Sequence, residues 1–439
     1  MLRIRTVPRA LSVAVPTVTQ FRRSFLAAAL LHLALGSGVG HAAAGVDANV
    51  VAPAPFKAPY LPSSDTQVLQ DVPSSSEPAV AEMKALRVQI DAAPQSLPAA
   101  IKLAAAYVDY GRQVGDAHYA GYAEAVIAPW LTTSPPPASA LVTEATILQY
   151  RHQFSDSRGL LRRTLLIAPQ NAQAWLTLAT LDMVQGDYEA AAKDCVQVTG
   201  SAGLELGLAC SANLRSYTGQ ARQSLALLER VEGAGDKVPL SYQAWVQGML
   251  AEAAERLGDW PLAENHYRCA LRLVPQDNFL LVAYADFLLD RGRPAEVLLL
   301  LADHAQSDTA FLRLALAHSA LHSDEAARYT WIMAARFEAL TLRGSDFFGR
   351  EQARFALTLQ HDPKTALEMA QRNWQAQREP WDSRLLLEAA LAAKQPEAAS
   401  EVLRFLQKSR LEDPVIEPLT RELHARLDRA PGPMSGAAE

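Results

Sequence analysis

Strand-like sequence is scarce in this chain. Almost nowhere do apolar and polar residues alternate in a run rich in Val, Ile and Thr, so a sheet is not expected. Glycine is sparse between residues 80 and 430, which favours unbroken helix. There are only three cysteines, enough for one bridge with one thiol left over. No stripe of Lys and Arg interleaved with aromatics occurs, and the formal net charge is -6, so nothing points to nucleic acid. Beyond the N-terminal region no segment is both long and uncharged enough to cross a bilayer, so no membrane span is expected in the mature chain. A glycine-rich phosphate loop, a G-x-S-x-G elbow and an H-E-x-x-H pair are all missing. The chain is therefore not expected to be an enzyme, and no cofactor is expected.

What the sequence does hold is alanine and leucine. Hydrophobic residues make up 49% of the 439, and Ala and Leu lose little side-chain freedom in a helix. An all-α fold follows. Residues 1–44 read as an export signal. Arg3, Arg5, Arg9, Arg22 and Arg23 precede an apolar stretch from Phe25 to Leu35, and Ala42-Ala43-Ala44 offers the small residues of a cleavage site. Arg22-Arg23-Ser24-Phe25-Leu26 resembles a twin-arginine signal, and both that route and the general secretory route stay open. The expected location is periplasmic or secreted. Residues 45–79, with Pro53, Pro55, Pro59, Pro62, Pro73 and Pro78 among serines, read as a disordered linker. Residues 430–439 read as a disordered tail.

Between linker and tail the sequence is periodic. In AWLTLATLDMVQGDYEAAAKDC, starting at Ala174, Trp175, Leu178 and Ala179 share one helical face. Gly186-Asp187-Tyr188 breaks the helix, and Ala191 and Cys195 open the packing face of a second one. Small residues let two antiparallel helices approach, and glycine tolerates the positive φ at the corner. The pattern returns at Leu208, Ala212 and Gly219, at Leu250, Ala251 and Gly258, and at Leu281, Ala285 and Gly292. The corner glycines are 33, 39 and 34 residues apart, and the long interval holds the insertion at residues 233–239. Weaker copies flank these, with His152 and His322 in place of the turn glycine, and with corners near Asp362-Pro363 and Gln395-Pro396.

This pattern resembles the tetratricopeptide-repeat family over most of residues 98–410. The stretches GRQVGDAHYAGYAEAVIAPW and YADFLLDRGRPAEVLLLL are also similar to a group of exported bacterial repeat proteins without an assigned function. The resemblance implies an α-solenoid of about eight helix pairs in a right-handed superhelix. It divides the body into an atypical N-terminal capping repeat (80–137), repeats (138–342), and C-terminal repeats with a capping helix (343–429). It also implies a scaffold that binds a protein or peptide partner in its concave groove, within an envelope assembly. An accessory factor for maturing a metallo- or cofactor protein is the alternative. An enzyme with a site in the atypical segments is a remoter one.

The family's register places Gln173, Thr180, Asn213, Tyr217, Trp245, Glu252, Glu255, Arg256, Asp286 and Asp290 on the groove face. Four acids thus converge in two adjacent repeats, beside Trp245 and Phe279. Such a surface suits a basic or polar segment. Equally, it suits a solvated face whose acids pair with Arg256, Arg291 and Arg293. Cys195 and Cys210 fall on successive helices and could bridge in an oxidising compartment. His318 and His322, four apart, are weak metal candidates. Their place at the end of one helix and in the turn after it favours polar turn chemistry instead.

Overall fold

A computed structural model describes residues 77–116, 118–233, 238–342 and 349–429. The segments expected to be an export signal and a tail, and most of the expected linker, lie outside these residues. Every regular element among the described residues is helical. A leading helix α1 (Pro78–Ala92) is followed by nine helix pairs. The first four are α2 (Leu97–Val114) with α3 (His118–Leu131), α4 (Ala138–Tyr150) with α5 (Phe154–Ile167), α6 (Ala172–Val184) with α7 (Tyr188–Ala202), and α8 (Leu204–Tyr217) with α9 (Ala221–Glu232). Next come α10 (Leu240–Arg256) with α11 (Trp260–Leu273), α12 (Asn278–Asp290) with α13 (Pro294–Leu300), and α14 (Asp308–Ala320) with α15 (Ala326–Leu342). The last are α16 (Gly349–Thr358) with α17 (Pro363–Ala376), and α18 (Pro380–Ala392) with α19 (Ser400–Ser409), entered through a 3₁₀ turn at Pro396–Ala399. Helix α20 (Ile416–Arg429) caps the array. The count of nine pairs stands beside the expected eight or so.

One corner geometry repeats throughout. Gly115, His152, Gly186, Gly219, Gly258, Gly292, His322, His361 and Lys394 all take positive φ, between 49° and 76°. In eight of the nine corners the N–H of the next residue returns to the carbonyl five positions before it, as in Asp187 to Asp182 and Asp259 to Ala254. This satisfies carbonyls that a helix end would otherwise leave bare. Side chains of Asp187, Asp259 and Asp362 then cap the following helices. Where helices of a pair and its neighbour meet, Ala179, Ala191, Ala212, Ala251, Ala263 and Ala285 are fully buried. Alanine allows that approach at no side-chain entropy.

The array does not stay open. Its last two pairs meet the corners of the early ones. The Arg378 N–H donates to Val184 O at 2.7 Å, and the Ala221 N–H donates to a Glu412 carboxylate at 3.0 Å. The Phe405 ring lies 5.8 Å from that of Tyr188 and covers Gly186. The carbonyl of Arg410 lies against Gly219. At the other end, Gly115 lies against Ser307, and α2 touches α12. What an open solenoid would present as a groove is thus partly walled in by the chain itself.

Candidate functional site

The walled space is a partly open cavity of about 160 Å³, and its lining comes from both halves of the array. Six of the ten groove residues expected from the sequence line it: Tyr217, Glu252, Glu255, Arg256, Asp286 and Asp290. Asn213 and Trp245 line a small crevice beside it with Glu252 and Phe279. Gln173 and Thr180 line neither. Gln173 Nε2 donates to Thr177, and the Thr180 hydroxyl donates to Leu176 O.

The acids are met by arginines, and of those the sequence suggested only Arg256 is among them. Asp286 receives both Nε and Nη2 of Arg313, at 3.0 and 2.7 Å, and Nη1 of Arg354 at 2.6 Å. Asp290 takes a two-point contact from Arg384, at 2.6 and 2.9 Å. Arg350 grips Asp382 at two points and reaches Glu379 at 2.7 Å. Arg313 also reaches Glu351. These pairs run along the inner ends of α12, α14, α16 and α18 and join residues 68 and 94 positions apart. Arg256 does pair with Glu252, at 3.4 Å, and donates to the Ser216 hydroxyl at 2.7 Å. Arg291 instead lies 3.8 Å over the Trp260 ring, and Arg293 binds Glu264 and Glu296. Burial works to raise the Asp286 carboxyl, but Arg313 and Arg354 hold it below its ordinary range. Breaking a buried pair of this kind costs about 3–5 kcal/mol, because the other charge is stranded. Asp286 and Asp290 are therefore structural charges, already neutralised from within the chain. The sequence reading missed Arg313, Arg350, Arg354 and Arg384 because it mapped the groove register only through the four central repeats. The same register carried into the last pair would have shown Arg384, whereas Arg313 stands off it.

The cavity still holds an excess of acid. Five guanidinium groups line it (Arg112, Arg256, Arg313, Arg350, Arg384), against seven carboxyl groups (Glu252, Glu255, Asp286, Asp290, Glu351, Glu379, Asp413). Arg354 and Asp382 stand just behind, one of each sign. Burial pushes the Glu255 carboxyl up to about 8, against a hydrogen bond from Tyr267 that works to lower it. Burial also raises Asp413, whose Oδ1 accepts from the N–H groups of Val415 and Ile416.

The other candidates are placed apart from this cavity. Cys195 and Cys210 are joined by a disulfide between α7 and α8, with Cα atoms 5.5 Å apart, inside an apolar cluster with Ala191, Val198 and Leu228. His318 and His322 do not converge. His318 Nδ1 pairs with the Ser323 hydroxyl at 2.8 Å and its ring packs on Tyr329, while His322 forms the corner. Among the described residues no group of three or more His, Cys, Asp or Glu is arranged to hold a metal ion. No described helix is long and apolar enough to cross a membrane.

No protein-family model matches the chain, and no curated protein does. Solved structures resemble it at low identity. A chain of the APC/C hetero-tetramer Cut9–Hcn1 matches 71% of this chain at 16% identity and a TM-score of 0.39; the match spans 52% of that longer chain. A tetratricopeptide repeat protein from Parabacteroides merdae matches 70% at 12% identity and 0.34, over 99% of its own length. A chain of the human IFIT1 dimer with PPP-AAAA matches 75% at 12% identity and 0.44, over 78% of its length. The repeating corners, the small residues where helices meet and the stacked pairs themselves make this chain an all-α solenoid of helix pairs.

Proposed function

We propose that this protein is an exported adaptor that holds a protein or peptide partner on the inner side of its superhelix, as part of an assembly in the bacterial envelope. The observation that carries this reading is the lining of the central cavity. Inner faces of distant repeats converge there, with acid in excess of base and with the rings of Phe279, Trp260 and Trp381 alongside. A concavity lined by rings with a few convergent polar groups is where a ligand is expected to be gripped. The export reading rests on the N-terminal arginines, the apolar stretch and the Ala42–Ala44 site. The bridge between Cys195 and Cys210 accords with an oxidising compartment. The alternative of a cofactor-maturation factor gains nothing from His318, whose ring pairs with Ser323, or from His322, which forms the corner.

Site-specific photo-crosslinking in intact cells tests the adaptor reading. A crosslinking side chain at Phe279, on the inner side, should trap one defined partner. The same group at Leu299, which is 80% exposed on the outside of α13, should not. Adducts from Leu299 alone, or identical adducts from both positions, would overturn the inner-side reading.

A further inference from the structure

The cavity contains more than paired charges. Gln149, at the inner end of α4, is 1% exposed, lines the cavity, and has neither amide atom bonded to a partner. Gln377 and Glu379, also 1% exposed, each leave Oε1 without a partner. Glu255 Oε1 and Asn278 Oδ1 are in the same position. Among the residues that line the cavity, the buried polar atoms without partners are therefore mostly acceptors: five oxygens, against Gln149 Nε2 and Arg256 Nε. An acceptor left unmatched in a buried site costs about 1–3 kcal/mol, so a group that brings several donors is favoured there.

Charge and aromatic faces point the same way. Carboxyl groups outnumber guanidinium groups in the lining by two. The chain's own cations already use the aromatic faces. Arg256 lies 4.9 Å over Tyr217, and Arg354 and Arg384 lie 4.6 and 4.3 Å from the Trp381 ring centre. The interior is thus built to take cations by carboxylate and by ring face together. A ligand that is anionic, or that offers only acceptors, would meet the wrong sign and unmatched oxygens.

We infer that the cavity is a binding site for one cationic nitrogen group, a primary ammonium or a guanidinium, which inserts beside Glu255 and Gln149. This rests on the reading of the inner side as the binding side, and it names what is gripped there. Such a group is available on a Lys or Arg side chain of a partner polypeptide, or on a free polyamine. About 160 Å³ admits an alkylammonium or guanidinium stem, not a folded segment. Around Glu255 stand Glu252 and Arg256 on its own helix, Tyr267 on α11 and Asp290 on α12. Arg256 and Asp290 already have partners, so the incoming cation would be the new counter-charge for Glu255. Binding should then drive the proton off that carboxyl.

Calorimetric titration of the full exported chain at pH 7 tests this, with butylamine, spermidine, and a short peptide compared with its Lys-to-norleucine counterpart. The expected result is saturable one-to-one binding of the cationic probes, none of butanol or the norleucine peptide, and net proton release in buffers of different ionisation enthalpy. Glu255→Gln should weaken the cation by roughly tenfold, the size of one charged hydrogen bond, and abolish the proton release. Gln149→Leu, in a second variant that keeps Glu255, should weaken binding but keep the release. A Lys peptide binding well above spermidine assigns the cation to a polypeptide; spermidine binding above the peptide assigns it to a free polyamine. Binding of butanol equal to butylamine, or no binding of any cationic probe by a folded protein, overturns the inference. The crosslink from Phe279 is independent of this titration. A trapped partner with no cation binding would sink the cation site and leave the adaptor standing; the reverse result would do the opposite.

Discussion

At the scale of single residues, carboxyl groups set the behaviour of this protein. Burial pushes Glu144 and Asp194 up to about 7, and Glu255 up to about 8. For Asp194, the neighbouring Asp182 adds to the shift. In the unfolded chain these groups ionise near 4, so between about pH 4.5 and 7 the folded state binds more protons than the unfolded one. Their protonated forms thus support the fold at the acid end of that window, and the support is lost as pH rises through their folded values. The melting temperature is expected to fall from pH 5 to pH 8. Glu144→Gln with Asp194→Asn should flatten that slope without lowering stability at pH 8. A slope left unchanged in the double variant would count against these groups as its source. The acids read from the sequence as groove contacts divide on the same principle. Asp286 and Asp290 carry two-point arginine contacts, whereas Glu255 does not.

At the scale of elements, each corner has the same backbone but a different neighbour. Gly292 has nothing within 4 Å of where a Cβ would stand. Gly219 has the backbone carbonyl of Arg410 there, and Gly186 has the Phe405 ring at 2.6 Å. Alanine at Gly292 should therefore cost only the left-handed backbone, about 1 kcal/mol. At Gly219 the same change must also displace the return of the C-terminal pairs, so the loss in chemical denaturation should be clearly larger. Equal losses at the two sites would mean that the closure contributes little. Histidine at positions 152, 322 and 361 takes the same positive φ, which shows that the corner itself does not demand glycine.

At the scale of the whole molecule, closure decides cooperativity. In an open array each repeat contacts only its neighbours, and unfolding can proceed piecemeal. Here α6 to α9 are tied to residues 374–412 by Arg378, Phe405 and Glu412. A single unfolding transition is expected for the native chain. Phe405→Ala removes the ring from the Tyr188 and Trp374 contacts. It should split that transition in two and raise the radius of gyration measured by X-ray scattering. One sharp transition at unchanged radius would show that the two ends are held by other means.

Much of this molecule was legible in its sequence. Apolar periodicity marked the helices, and Gly186, Gly219, Gly258 and Gly292 marked corners that prove equivalent, because both depend on local backbone sterics. His152 and His322 standing in for glycine were also readable, for the same reason, whereas His361 was not read. Repeat register identified the inward face of α10 and α12. What the register could not supply was the fate of that face. Whether Asp286 meets solvent, a partner, or Arg354 sixty-eight positions later depends on how small rotations between successive pairs add up along the array. That accumulated winding belongs to no single repeat, and only the tertiary structure turns an open groove into a walled, acid-rich cavity.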